Sequence, residues 1–385
     1  MNNIGTLYKF EIKKILCRKL TIIVLIAVSL LMIAMNMGEY FAGSKTINTD
    51  EQILSGRKVD DVMLEEMRQA IEPKTVSTED GTQTIIGFGI KNRAYQPLCN
   101  YLTTIGGNCD KAYNMTEAEL EKRFNGCIEE QMREQHLTEA EVKYWNERQK
   151  ANPMPLTYGK IQNGWGDSVC IIYVVAILCM IAIAATLSGI FSDEIGFKTD
   201  ALIFSSRNGK KKLVTAKLLA GITVGMLETF ILLIVCVGTE FALSGFVGGD
   251  TDVRFFVGPS AMNMTIQKAF WVYVGIMLVI GLLMSLFAMC LSQLCKNSVA
   301  VIAIMMGFWL ISMLNPPYSM RIVSQAASFL PVTFLGSWTF SDYRMIGLFG
   351  HMFNILQIAP MLYLILSVIF AKITRISYNK YQVER

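Results

Sequence analysis

The chain has 385 residues, 52% of them hydrophobic and only 17% charged, with a net charge of +4 and two histidines. Soluble domains carry roughly 25% charged residues. A mean hydropathy of +0.40 therefore leaves too little charge to cover a water-facing surface, and it points to lipid as the main solvent. The charge balance gives no basis for a nucleic-acid partner.

The first segment, 1–19, carries Ile4, Leu7, Tyr8, Ile12, Ile15 and Leu16 on one helical arc, with Lys9 and Lys13 on the other. That pattern is expected of a basic amphipathic helix on an inner membrane surface. The plainer alternative is a continuation of the first span, 20–38. The first apolar run has a basic flank but no small-residue cleavage site, so no cleavable signal peptide is expected.

Residues 39–167 form a polar insert of domain size between the first two apolar runs. Thr116-Glu117-Ala118-Glu119 and Thr138-Glu139-Ala140-Glu141 match a capping box. They predict helices near 117–135 and 139–150. A third helix is expected over 50–71, stopped at Pro73, and a hairpin near 82–90. Tyr158 and Trp165 read as interface anchors where the chain returns to the membrane. Cys99, Cys109 and Cys127 lie in the insert, and an odd count permits at most one disulfide, whose pair the sequence leaves open. The two "NMT" sequons at 114–116 and 263–265 read as chance matches.

Further apolar runs of about membrane-spanning length follow at 168–191, 213–237, 270–294, 298–314 and 354–371. With 20–38 they make six spans. The fifth is short and meets a helix stop at Asn315-Pro316-Pro317. Lys217, near the start of the third, reads as a snorkelling side chain. Glu228 lies well inside the same run, where a charge is costly and faces a protein interior or cavity. It is a candidate intramembrane polar site, with a structural, hydrogen-bonded Glu as the alternative.

Positive charge alternates along the connecting segments. Outside the 39–167 insert, the N-terminus, the 192–212 loop, the 295–297 loop and the 372–385 tail carry most of the lysines and arginines. The 238–269 loop has Arg254 and Lys268, and 315–353 has Arg321 and Arg344. The positive-inside rule then places both termini in the cytoplasm and the insert outside. Within 315–353, "SFLPVTFLGSWTF" and "MIGLFGHMF" are apolar but too short to cross, and are expected to be re-entrant or interfacial helices. The fold class expected is an all-α polytopic membrane protein: six transmembrane helices, an N-terminal amphipathic interface helix, and a mainly α (α+β) extracellular domain between helices 1 and 2.

No catalytic set emerges. Neither the Walker sequence nor a G-x-S-x-G elbow is present, and His136 and His351 form no cluster. The stretch "FSDEIGFKTDALIFSSRNGKKK", residues 191–212, interrupts two apolar runs with Glu194, Gly196, Thr199, Asp200, a short apolar helix, then Ser205-Ser206-Arg207. Phe197, Ala201 and Phe204 form one apolar stripe, with Ile195 and Leu202 on another side. Glu194 and Lys198 are placed as an i,i+4 pair.

This loop resembles the first cytoplasmic loop of type 2 ATP-binding-cassette (ABC) permeases. There an acidic residue and a Gly-Thr pair open a short coupling helix, followed by Ser/Pro-x-Ser-Arg and a Lys at the head of span three. Here the Gly-Thr pair is split (Gly196, Thr199) and a serine replaces the proline. The large outer insert is similar to Gram-positive bacterial members that handle peptide antibiotics or lipids. The resemblance implies an exporter subunit for an amphipathic cargo in a bacterial plasma membrane. It implies a separate cytoplasmic ABC ATPase dimer, a second permease subunit and surrounding lipid. The chain itself is expected to be no enzyme and to hold no cofactor, with ATP and Mg bound by the ATPase. ATPase coupling would fall to Glu194, Phe197, Lys198, Ala201, Leu202, Phe204 and Arg207. The competing expectation is a non-transporting scaffold or sensor whose outer domain detects a ligand or peptide.

Overall fold

The computed structural model describes residues 3–41, 50–77, 83–152, 154–161, 163–196, 211–295, 297–348 and 350–380. The chain is mostly helical, with two small hairpins. It begins with α1 (Asn3–Leu16), the expected amphipathic helix, which packs on the third long helix through Tyr8, Ile12 and the buried Ile15. Leu16, on the rim of the arc, is exposed. The chain continues as α2 (Lys19–Phe41), the first long apolar helix.

The insert follows. A 3-10 turn, Asp50–Leu54, and α3 (Asp61–Ala70) replace the single helix expected over 50–71. Pro73 does not stop a helix. It lies inside β1 (Ile71–Ser77), which pairs antiparallel with β2 (Gln83–Ile90). The helix ends earlier because Ile71 is already extended, and the run of Ile71, Thr75 and Val76 suits a pleated edge. After α4 (Gln96–Gly106) and α5 (Cys109–Tyr113) come the two capped helices, α6 (Glu117–Glu134) and α7 (Glu139–Lys150). Thr116 and Thr138 accept the N3 amides, and Thr138 with Glu141 closes a full capping box. Each such cap stabilises a helix start by about 1 kcal/mol. Tyr158 is not an interface anchor: it is 1% exposed, and its hydroxyl donates to the buried Glu51 at 2.8 Å. Trp165 packs edge-on against Phe241 and Phe270.

The bundle consists of α8 (Gly164–Leu187) with its continuation α9 (Gly189–Gly196), α10 (Lys211–Ser244) and, after a short α11 (Arg254–Val257), α12 (Ile266–Cys295). It is completed by α13 (Ser298–Ser312) and α16 (Ile355–Lys380). Five helices among the described residues are long and apolar enough to cross a membrane, the α8–α9 unit counting as one. The fifth expected span is α13, whose 15 residues end before Asn315-Pro316-Pro317. At 1.5 Å per residue it covers about 22 Å, short of a hydrocarbon core of about 30 Å. The α8–α9 and α12 spans are 67% and 61% buried, so they form the centre, while α2 and α16, at 22% each, form the periphery. Close approach there requires small residues. A Cβ on Gly225 of α10 would collide with Ser285 Oγ of α12, and one on Gly281 of α12 would collide with Thr229 Oγ1 of α10.

Between α13 and α16 lie α14 (Arg321–Ser328), α15 (Pro331–Phe334) and a 3-10 turn, Ser337–Ser341. "MIGLFGHMF" is not a helix. It forms the hairpin β3 (Met345–Leu348) and β4 (His351–Asn354), turned at Gly350 with φ 81°. Left-handed backbone at a glycine breaks a helix and favours a tight reversal.

Candidate functional site

Three helix ends meet at the start of α10. From α1 come Glu11 and Lys14, with Arg18 just beyond it; α9 brings Asp193 and Glu194; α10 brings Lys217. Lys217 is not snorkelling. Its side chain is 0% exposed, and Nζ lies 2.6 Å from Glu194 Oε1 and 3.4 Å from Glu11 Oε2. It also donates to the Ile190 carbonyl at 2.9 Å and lies 5.5 Å from the centre of the Phe191 ring. Lys14 Nζ donates to the same Glu194 oxygen at 2.9 Å, and Arg18 Nη2 donates to Asp193 Oδ2 at 2.8 Å. Glu11, Asp193 and Glu194 balance Lys14, Arg18 and Lys217. Taking ions out of water costs several kcal/mol each, recovered only while every partner stays in place.

Two further ties reach this point. The Ser292 hydroxyl of α12 accepts from the backbone N–H of Phe191 at 3.0 Å and of Ser192 at 3.2 Å. The Phe191 ring meets Tyr378 of α16 edge-on at 5.5 Å. The root of the 192–212 loop is thereby fixed to α1, α10, α12 and α16. The insert lies at the opposite end of α10, where Ser244 Oγ donates to Asp167 at 2.6 Å. At about 1.5 Å per residue, this 34-residue helix separates the two ends by about 50 Å. Separating Lys217 from Glu194 and Glu11 would leave buried charges unpaired, so the loop root is held firmly to these helix ends.

Of the residues assigned to coupling, Glu194 sits at the centre of this cluster, with Lys14 and Lys217 as ion-pair partners. Phe197, Lys198, Ala201, Leu202, Phe204 and Arg207 lie outside the described residues. Cys99 is buried in α4, while Cys109 and Cys127 are half-buried in α5 and α6, and all three are free thiols. Burial, with a smaller contribution from Cys109, pushes the Cys99 thiol up to about 11. That makes it a poor nucleophile at neutral pH.

Glu228 is 2% exposed in the middle of α10, and neither carboxyl oxygen has a hydrogen-bond partner. Thr186 of α8 neighbours it, but its hydroxyl does not complete a hydrogen bond. Cys179 of α8 contacts Thr229 of α10 at 3.2 Å, and Gly225 faces Ser285. These residues form a narrow polar seam through the apolar centre of the bundle. Among the described residues no cluster of His, Cys, Asp or Glu could hold a metal.

Glu11 and the role of Lys217 escaped the sequence reading. A signal existed: Glu11 lies one turn from both Leu7 and Ile15, on the apolar arc of an otherwise basic helix. An acid there needs a buried cation, and Lys217 is a lysine at the head of an apolar run.

A helical bundle with five membrane-length helices, an ionic cluster built on the buried Lys217 at one end and a folded polar insert at the other defines a multi-pass membrane protein. The family model described as ABC-2 family transporter protein matches residues 6–369. The chain belongs to this family, as a permease-type membrane protein. No curated protein and no solved structure matches it.

Proposed function

We propose that the chain is the membrane-spanning subunit of an ABC exporter that moves an amphipathic peptide, lipid or drug outward. In this reading it has six spans, with α13 as the short fifth, both termini cytoplasmic and the insert outside. ATP and Mg are held by a separate ATPase dimer, and a second permease subunit completes the path. This chain performs no chemistry of its own. The 192–212 loop docks on the ATPase through Phe197, Ala201, Leu202 and Phe204, flanked by Lys198 and Arg207.

The observation that carries the reading is the Lys217–Glu194–Glu11 cluster at the loop root. Family membership implies an ABC ATPase partner, and a force receiver needs a stiff connection into the spans. Energy for transport comes from contacts that differ between two states of the complex. Copurification tests the reading: an ABC ATPase is expected with the wild-type chain and is expected to be lost from the Phe197→Asp/Phe204→Asp variant. Absence of any ATPase from the wild-type preparation would rule the reading out.

The sensor reading has one observation in its favour. Glu141 on α7 holds the start of β3 and Trp145 holds Tyr343 just before it, so an event at the insert has a direct path to the bundle.

A further inference from the structure

The insert contains a cleft of about 590 Å³ between α6 and α7, closed at its inner end by Arg254 of α11, Asn152 and Met154. A volume of several hundred Å³ is that of a ligand site rather than a packing defect. Glu121 and Glu129 stand exposed on the α6 wall, Asn146 and Lys150 on the α7 wall, and Gln149 donates to Asn125 across the cleft at 2.8 Å.

The inner end is incompletely satisfied. Arg254 is 1% exposed and its Nε and Nη2 bind Asp252 at 2.8 and 2.7 Å, with the guanidinium 5.7 Å from the centre of the Phe124 ring. Its third nitrogen, Nη1, is buried with no partner. Asn152 donates from Nδ2 to the Ala261 carbonyl at 3.2 Å, but its Oδ1 is likewise buried and unpartnered. Buried polar atoms are normally paired, and an orphaned guanidinium N–H destabilises the fold unless something supplies an acceptor. Both residues line the cleft, and each holds one polar atom without a partner.

We propose that this cleft is a binding site for a short, extended peptide. A peptide group presents one carbonyl acceptor and one N–H donor, the complement of Arg254 Nη1 and Asn152 Oδ1. The remaining lining amides, Asn125, Asn146 and Gln149, are suited to the same groups. Glu121 and Glu129 suit lysine or arginine side chains or a free amino terminus, while Lys150 and, beside the second hollow, Arg133 suit an acidic side chain or a free carboxyl terminus. The groove is also elongated: a second hollow of about 530 Å³, lined by Met132, His136 and Leu137, shares Glu129 and Asn146 with the first. A linear chain fills two hollows in series, where a compact sugar fills one.

Occupancy would be felt at the bundle, because α7 lies between the two. Asn146 and Gln149 face the cleft, while Trp145 Nε1 donates to the Tyr343 carbonyl at 2.7 Å. The proposal does not rest on the transport reading, since binding is measured without ATP or a partner.

The test uses the detergent-purified full chain and a synthetic library of random-sequence decapeptides, with retained peptides quantified by mass spectrometry. The wild type is expected to retain a reproducible subset of the library. Asn146→Trp, an exposed position whose larger ring blocks the groove, is expected to retain at least about tenfold less. Glu121→Gln/Glu129→Gln is expected to lower the share of Lys and Arg among retained peptides relative to the wild type while keeping its thermal unfolding midpoint. Retention that is nil, or equal in the wild type and Asn146→Trp, overturns the proposal. So does Asn146-dependent retention of maltose or chitin oligosaccharides in place of peptides, which would make the cleft a glycan site.

Discussion

Lys217, with no exposed surface, is held by two carboxylates and a carbonyl. Removing its charge leaves Glu194 and Glu11 buried without their shared cation. Lys217→Met is expected to lower stability by about 3–5 kcal/mol, read as a fall in the thermal unfolding midpoint in detergent. Adding Glu194→Gln should recover part of the loss, because the two side chains are coupled. Equal and additive losses would show that they are not a pair. Glu228 behaves in the opposite sense. Its oxygens have no partner, so Glu228→Met removes a desolvation penalty and is expected to raise stability by about 1–3 kcal/mol. If the polar seam serves transport, the same variant loses substrate-stimulated activity although it is more stable. At this scale the sequence revealed which residues were unusual but not what they touch. Glu228 stood out because a charge in an apolar run is rare. Lys217 stood out too, but its nearness to a helix end suggested lipid headgroups, whereas its partners lie 23 and 206 residues away.

Among the elements, α7 joins the insert to α14 and to the start of β3. Its Glu141, 1% exposed, accepts from Arg321 Nη2 at 2.6 Å, from the Met345 N–H at 2.7 Å and from the Thr138 N–H at 2.7 Å. Burial alone would raise its pKa, but the Arg321 guanidinium and these donors outweigh burial and hold it below the ordinary carboxylate value of 4.5. A carboxylate depressed on folding stabilises the fold above its unfolded pKa, and that contribution fades as the pH falls through the folded one. The wild type is therefore expected to lose more thermal stability than Glu141→Gln between about pH 5 and about pH 3. At neutral pH, Glu141→Gln is expected to be less stable by about 1–3 kcal/mol, since Arg321 and the Met345 N–H lose a charged acceptor. Parallel pH curves for the two proteins would contradict this account of the joint. The helices themselves were legible because caps and the 3.6-residue period are local signals: Thr116 and Thr138 start α6 and α7 where the capping boxes lie. The β3–β4 hairpin was not, since "MIGLFGHMF" is apolar throughout and carries no alternation to separate strand from helix. Pro73 misled for a related reason: it ends helices, but is also tolerated in a two-stranded edge.

In the whole molecule, the ionic cluster and the insert lie at opposite ends of one helix. At one end of α10 a neutral, six-charge cluster ties the loop root on α9 to α1, Arg18 and α10. At the other, the insert rests on the α10–α12 connection through Thr251 and the Lys160 carbonyl, 2.9 Å apart. The membrane class and the family were readable from hydropathy, charge alternation and the loop pattern. The ionic cluster was not: Glu11 on the apolar arc signalled a buried partner, but which residues of three distant segments pair leaves no periodic trace. The central claim is that this cluster carries force from a partner ATPase into the spans. The most direct measurement is the ATP hydrolysis rate of the complex reconstituted in lipid, for the wild type, Phe197→Asp/Phe204→Asp and Glu194→Gln, after mass spectrometry has identified the copurifying ATPase. The account predicts that the double aspartate variant fails to hold the ATPase. It predicts that Glu194→Gln holds it but loses most of the stimulation by transported substrate. Retention and stimulation equal to wild type in both variants would contradict it.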